Sequence, residues 1–171
     1  MNNIEFQLLR EDLHLTRQDL AEIWEVNPRT IQRWDRGDVD IPDNRKKQLE
    51  SYYNAVLQGV KNFETVLDER IKKNGEPDEI FLIAYDAWSY DGDFPHFKIH
   101  NACLIKCKQA GVKKGYCVSI VPFKPQEYEE WLHQMNYNDS QEIRAAWASE
   151  YYSASNEVAD IDSEYLEDSD F

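Results

Sequence analysis

The sequence predicts a mainly α protein with a small α+β part: an N-terminal helix-turn-helix bundle, a long connecting helix and a C-terminal mixed domain. Three observations support this fold class. Two short helical patterns joined by a tight turn occupy residues 15–37, one uninterrupted helical pattern covers residues 43–74, and two short β-prone runs follow residue 76. A chain of 171 residues has room for one good-sized domain or two small ones.

The first of the two short helices begins with a capping signature. Thr16 is placed to accept hydrogen bonds from the free amides of the first turn, and Asp19 lies where a negative charge suits a helix start. Apolar residues then follow at helical spacing, at Leu20, Ile23 and Trp24. Residues 25–26 are predicted to turn the chain into the second helix.

The second short helix has both a start signal and a stop signal. Asn27 is a good N-cap, Pro28 fits the first helical position, and Gly37 is suited to end the helix in a left-handed conformation. We expect Ile31 and Trp34 to be buried.

The other face of this helix carries long polar side chains. Its members are Arg29, Thr30, Gln32, Arg33 and Arg36. A short helix that projects arginines and a glutamine suits the DNA major groove, where arginine pairs with guanine edges and glutamine with adenine.

The pattern LT..DLA at residues 15–21, followed by V.....I..W..G at residues 26–37, resembles the λ-repressor-like, or Xre-type, helix-turn-helix family over about residues 4–57. The resemblance implies that the helix at residues 28–36 enters the major groove, with Arg29, Gln32 and Arg33 at base-reading positions. It places Arg17 at a phosphate contact, and we expect Asn27 and Lys46 to contact phosphates as well.

Two further positions follow from the same resemblance. Arg10 and Asp35 match a pair that joins the first and third helices of the family by a salt bridge, which is a structural role. Glu25 departs from the family pattern, since glycine is preferred at this turn.

The first helix is expected over residues 4–13, with Phe6, Leu8, Leu9 and Leu13 on its apolar surface. For the long helix, Asp40 is the candidate cap and Pro42 the candidate first residue. Residues 45–47 are basic and permit two interpretations, a phosphate clamp beside the groove or a solvated face.

An apolar stripe runs along the long helix at spacings of three and four, close to a heptad seam. Its members are Leu49, Tyr53, Val56, Val60, Phe63, Leu67 and Ile71. The stripe either packs on the protein's own second domain or forms a dimer contact. Residues 74–77, Asn-Gly-Glu-Pro, end the helix and mark the best domain boundary.

The second half predicts strands at residues 79–85 and 116–123 and helices at residues 94–109, 126–135 and 140–152. Two strands bury little and leave exposed edges, so we predict that residues 76–152 form a dimerisation domain. The proposed organisation is a DNA-binding domain at 1–58, a helix continuation and linker at 59–75, the mixed domain at 76–152 and a disordered acidic tail at 153–171.

This layout, together with the segment WDRGDVDIPDN at residues 34–44, is similar to the anti-CRISPR-associated autorepressors and related regulators of unassigned role. The resemblance implies a dimer that represses its own operon on an inverted repeat.

The net charge of −14 opposes binding to a polyanion. The distribution of this charge weakens the objection to DNA binding. Residues 1–74 carry 12 basic and 14 acidic residues, whereas residues 153–171 carry no basic and 7 acidic residues. The tail is either a solubilising segment or a competitor of DNA for the arginine face.

His96, His100, Cys103 and Cys107 share one face of a predicted helix, with Cys117 nearby. Four ligands rising along one helix would spread over about 16 Å, too far for one zinc ion, so buried packing of the cysteines is favoured. Asp86, Asp91 and Asp93 lack the register of a calcium loop. We therefore predict no metal, no cofactor and no catalysis.

The leading hypothesis is a dimeric, sequence-specific transcriptional regulator that binds double-stranded DNA. The alternatives are an antitoxin-type regulator whose acidic half grips a basic toxin, an interaction module that no longer binds DNA, and an RNA-binding role for the same arginine face. Three cysteines, no long apolar run and no signal-like N-terminus favour a cytoplasmic protein without membrane association.

Overall fold

Seven helices and two short strands follow one another in residues 1–155, which are the residues that the computed structural model describes. The helices are α1 (Asn3–Asp12), α2 (Arg17–Ile23), α3 (Pro28–Arg36), α4 (Asp43–Asn74), α5 (Phe97–Lys113), α6 (Pro125–Met135) and α7 (Gln141–Ser155). The strands are β1 (Ile80–Ala84), before α5, and β2 (Val118–Pro122), after it. The predicted fold class, mainly α with a small α+β part, is confirmed.

The helix-turn-helix bundle is built around an aromatic cluster. Phe6, Trp24 and Trp34, one from each of the first three helical segments, have ring centroids 6.1 to 6.2 Å apart. Aromatic rings at this separation and tilt attract each other beyond the area that they bury. Leu20 and Ile31 beside them are fully buried, so the apolar spacing of the sequence does define the core of this unit.

The predicted caps of the two short helices are confirmed. Thr16 and Asp19 form a reciprocal capping box, and the Asn27 side-chain oxygen accepts a hydrogen bond from the amide of Arg29 at 2.9 Å. Gly37 ends α3 with a φ of 75°. Each of these residues satisfies backbone groups that a helix end otherwise leaves unpaired.

Two local predictions are wrong. Asp40 does not cap α4: the helix has Pro42 at its N-cap position, and no side chain caps it. Leu8 does not contribute to the core, because 59% of its surface is exposed, whereas Phe6 and Leu13 of the same helix are fully buried. In a ten-residue helix only one stripe can face the bundle, and Leu8 lies outside it.

The apolar stripe of α4 packs on α5 of the same chain. Val56 of α4 and Ile99, Cys103 and Cys107 of α5 belong to the same buried core as the helix-turn-helix bundle. Gly59 permits the close approach, since a Cβ at this position would lie 2.7 Å from the Cys103 sulfur. The intramolecular interpretation of the stripe is thus confirmed, as is the burial of both cysteines.

The two strands form a parallel pair, with α5 as the connection between them. Their register runs from Ile80 opposite Val118 to Ala84 opposite Pro122. A second core lies on this sheet, where Val121, Trp147 and Tyr152 are buried together. The α7 helix contacts β1 directly.

Element boundaries differ from the sequence predictions by a few residues. The helix predicted at 94–109 begins later, at Phe97, because residues 94–96 form its approach and His96 accepts a hydrogen bond as its N-cap. Residues 153–155 of the predicted tail belong to α7, and the remainder of that tail lies outside the described residues. No helix within residues 1–155 is both long and apolar enough to cross a membrane.

Candidate nucleic-acid interface

The turn that precedes α3 sets the angle of that helix. Glu25 adopts a left-handed conformation with a φ of 53°, at the position where the sequence pattern favours glycine. The amide of Val26 then donates to the carbonyl of Ala21 at 2.9 Å, which closes the end of α2. The chain therefore keeps the turn geometry despite the substitution, at a cost of about 1–2 kcal/mol for a non-glycine residue in this region.

The inner face of α3 anchors the helix to the bundle. Ile31 is fully buried, Trp34 is 5% exposed, and Asp35 is 5% exposed. Because these residues occupy one side of a nine-residue helix, the opposite side is left to solvent.

The solvent side of α3 brings four predicted DNA-binding residues together. Arg29, Gln32, Arg33 and Arg36 recur at spacings of three, one and three, which places them on one face of the helix, and Thr30 lies at its edge. The three arginines are exposed, whereas Gln32 and Thr30 are partly buried. Within residues 1–155, no carboxylate lies within 4.0 Å of any of these three guanidinium groups.

Arg17 is oriented by a buried carboxylate. Its Nε donates to Oδ2 of Asp35 at 2.7 Å, and Arg10 donates to the same oxygen at 3.1 Å. The predicted salt bridge between Arg10 and Asp35 is therefore confirmed, and it joins α1 to α3. Arg17 remains 46% exposed, so its guanidinium lies beside α3 with one edge held and the other edge toward solvent.

The contact between Arg17 and Asp35 was missed by sequence reasoning. The two residues are 18 positions apart, and neither has a sequence pattern that specifies the other as its partner. Asp35 could have indicated this contact, because a buried carboxylate between two helices requires cationic or hydrogen-bonding partners.

Asn27 and Lys46, two further predicted phosphate contacts, have partners of their own. The Asn27 side-chain oxygen is used as the α3 cap, which leaves its amide group for other contacts. The Lys46 ammonium donates to Asp43 at 3.2 Å and is 27% exposed.

Neighbouring Arg45 has a structural role, which neither the phosphate-clamp nor the solvated-face interpretation of residues 45–47 anticipated. Its guanidinium lies 5.2 Å from the centroid of the Trp24 ring and donates to the Trp24 carbonyl at 3.2 Å. This contact ties the start of α4 to the end of α2.

Helix α5 holds the helix-turn-helix bundle through ion pairs. Lys98 donates to Oδ2 of Asp19 at 2.9 Å, and Lys106 donates to Asp12 at 2.8 Å. Partial burial alone would raise the pKa of Asp19, but hydrogen bonds from Thr16 and Lys98 lower it below its usual value. The second half of the chain therefore contributes to the orientation of α1 and α2.

These contacts, like that of Arg17, join residues too far apart in sequence for a local pattern to reveal them. Lys98 and Asp19 are 79 positions apart, and Lys106 and Asp12 are 94 apart. Both lysines lie on the same side of α5, since they are separated by eight residues.

The residues considered for zinc have other contacts. His100 Nε2 lies 3.3 Å from the carbonyl of Ile83, and its ring packs against Tyr85. The Cys103 thiol donates to the carbonyl of Val56 at 3.6 Å. Among residues 1–155, no group of three or more histidine, cysteine or acidic side chains is arranged to hold a metal ion.

A family model described as Aca2/YdiL-like matches residues 1–108. The match covers the helix-turn-helix bundle, α4, β1 and most of α5. It therefore includes every predicted DNA-binding residue and both lysines of α5 that pair with the bundle. A comparison with curated proteins gives no significant match.

Proposed function

The chain belongs to the Aca2/YdiL-like family, an anti-CRISPR-associated regulator family, and we propose that it is a sequence-specific DNA-binding transcriptional regulator that represses as a dimer on an inverted repeat. The solvent side of α3 is the observation that carries this proposal. It presents Arg29, Arg33 and Arg36 without carboxylate partners among the described residues, on a helix whose other side is anchored in the core.

In this proposal the bundle is an Xre-type reader, and α3 lies in the major groove. Arg29 and Arg33 donate to guanine edges, because a guanidinium matches the O6 and N7 acceptors of guanine bidentately. Gln32 contacts an adenine or its neighbour. Thr30 and Arg36 flank these contacts from the edge and the C-terminal end of the helix.

Phosphate contacts set the register of the reader on the duplex. Arg17 is suited to one of them, since its hydrogen bond to Asp35 fixes the side chain before DNA arrives and reduces the entropy lost on binding. The Asn27 amide group and Lys46 are the further candidates, with Lys46 exchanging its exposed partner Asp43 for a phosphate.

Dimerisation is supported by the form of the second half. The sheet in residues 1–155 has only two strands, so each strand has one unpaired edge. A single reader helix contacts only a few base pairs, and proteins of this type gain affinity and specificity by placing two copies on paired half-sites. The second core, around Val121 and Trp147, is therefore proposed to lie near the two-fold axis.

Gel retardation of the DNA upstream of the gene tests the base-reading assignment. Arg33→Ala is expected to weaken operator binding by about 1–3 kcal/mol and to relax the preference at one base pair. Arg17→Ala is expected to weaken binding to all sequences alike and to reduce the salt slope by about 1. Arg70→Ala, which removes an exposed arginine on α4, is the matched control and should leave binding unchanged.

The different effects expected for Arg33→Ala and Arg17→Ala distinguish contacts with base edges from contacts with the phosphate backbone. If Arg33→Ala weakens specific and non-specific binding equally, Arg33 contacts the backbone and the assignment of α3 to the groove is wrong. Retention of full affinity by both variants would contradict DNA binding through this face.

A further inference from the structure

The segment between β1 and α5, residues 86–95, carries a tryptophan that is almost entirely in solvent. Trp88 is 96% exposed, whereas Trp24, Trp34 and Trp147 are at most 5% exposed and Trp131 is partly buried. A large aromatic side chain held fully in water contributes nothing to the fold. Tryptophan is among the residues most enriched at the energetically dominant positions of protein interfaces.

Hydrogen bonds on both sides of Trp88 hold the segment in place. One oxygen of Asp86 accepts from the amides of Trp88 and Ser89, at 3.0 and 2.8 Å, and from the Ser89 hydroxyl at 2.7 Å. Further along, Asp91 forms a bidentate pair with Arg144 of α7, at 2.8 and 2.7 Å. The indole is therefore presented from an ordered backbone, which lowers the entropy cost of binding.

The surroundings of Trp88 are acidic. Residues 86–95 contain three aspartates and no basic residue. Arg144 also binds Asp139 and is only 15% exposed, so its charge is neutralised within the protein. This arrangement joins the Trp88 segment to the loop before α7, where Tyr137 is a second aromatic residue, 51% exposed.

We propose that Trp88, with the aspartates of residues 86–95, forms a docking surface for a lysine- or arginine-rich segment of a partner protein. A cation placed over the indole face is attracted by the ring, and Asp86 and Asp93, which belong to the same ten-residue segment, supply opposite charge. DNA and RNA are excluded from such a surface by their phosphates. A second copy is disfavoured, since a two-fold contact here would bring the same aspartates together.

This inference is independent of the proposed DNA reading, because none of its residues belongs to the helix-turn-helix bundle. The proposed docking surface assigns a basic protein segment as the partner of the acidic second half of the chain. The partner and the operator then bind opposite kinds of surface on one chain, one acidic and aromatic, the other bearing exposed arginines that have no carboxylate partner within residues 1–155.

Titration of the ¹⁵N-labelled full chain with a nonapeptide of alternating arginine and serine tests the proposal. We expect the Trp88 indole signal, identified by its absence in Trp88→Ala, to move on addition of this peptide and to be unaffected by a glutamate–serine peptide of equal length. Binding should weaken at least about fivefold in Trp88→Ala and about twofold in Asp93→Asn. Val66→Ala, at an exposed apolar site on α4, should bind as wild type does.

Several results would overturn the proposal. Unchanged affinity in Trp88→Ala would place the peptide on other carboxylates, including those of residues 156–171. Equal affinity for the glutamate–serine peptide and the arginine–serine peptide would show that charge complementarity does not determine binding. A dimer that becomes monomeric in Trp88→Ala, by sedimentation, would assign the surface to a second copy. Unchanged circular dichroism establishes that the variant is folded, and Trp88→Gln provides a second substitution at the same place.

Discussion

At the scale of single residues, Glu25 shows how the chain accommodates a non-glycine residue in a left-handed turn. It occupies the left-handed region, with a φ of 53°, and this exposed residue lies three positions before the start of α3. The backbone conformation is unfavourable for a residue with a Cβ, and the charge is unfavourable beside a DNA phosphate. We therefore expect Glu25 to affect both the stability of the turn and the proposed affinity for DNA.

Glu25→Gly separates these effects when it is compared with Glu25→Gln. The glycine variant should raise the free energy of unfolding by about 0.5–1 kcal/mol, because the relief of backbone strain exceeds the added entropy of the unfolded chain. Both variants should bind operator DNA more tightly, most clearly at low salt. Urea unfolding and gel retardation measure the two quantities. A glycine variant no more stable than the glutamine variant would show that the turn is unstrained.

At the scale of secondary-structure elements, α5 connects the two cores. Its ion pairs with Asp19 and Asp12 hold the bundle, its apolar side packs on α4, and His100 contacts β1 through the Ile83 carbonyl. Burial lowers the pKa of His100, with the hydrogen bond to Ile83 acting in the opposite direction. The imidazole is therefore held neutral where α5 meets the sheet.

The lowered pKa of His100 predicts a loss of stability on mild acidification. Below the ordinary histidine pKa of 6.5, the unfolded chain binds a proton that the folded chain resists, so the free energy of unfolding falls as pH decreases from 7 to 5. His14 and His96, whose pKa values burial also lowers, contribute in the same direction. His100→Phe should show a smaller decrease, measured by urea unfolding at both pH values. Equal decreases in the wild type and in His100→Phe would show that His100 is not responsible for the pH dependence.

Local signals predicted most of the elements but few of the contacts between them. The caps at Thr16, Asn27 and Gly37 and the C-terminal end of α4 follow from short-range patterns, because a helix end is determined by residues within one turn of it. The exposure of Arg29, Arg33 and Arg36 on one side of α3 was predictable from helical periodicity. The pairs Arg17–Asp35 and Lys98–Asp19 were not, since a charged residue has many candidate partners and only the folded chain selects one. The exposure of Trp88 was likewise invisible in a composition that favours a packed aromatic core.

At the scale of the whole molecule, the acidic charge is unevenly distributed along the chain. The net charge is −14, yet the outer face of α3 presents arginines without carboxylate partners in the described part of the chain. At physiological ionic strength, charges more than about 8 Å apart are largely screened, so the local arrangement outweighs the total. We expect weak non-specific binding and a specific affinity that depends strongly on base contacts.

Residues 156–171 contain seven carboxylates and no basic residue, which makes them a candidate competitor for the arginine face. Truncation after Ser155 should then raise operator affinity at low salt, with the difference disappearing as salt increases. A full-length control with the seven acids changed to asparagine or glutamine should behave like the truncated chain. Identical affinities of truncated and wild-type protein at low salt would rule out competition by the tail.

The central claim is that α3 reads DNA as one half of a symmetric pair, and footprinting of the DNA upstream of the gene tests it most directly. We predict a protected inverted repeat, with half-sites centred about one helical turn or a multiple of it apart. Substitution of Arg33 by alanine should raise the protein concentration needed for half-maximal protection by roughly 5- to 150-fold. No protection at low salt, or protection of a single unrepeated site, would contradict the account.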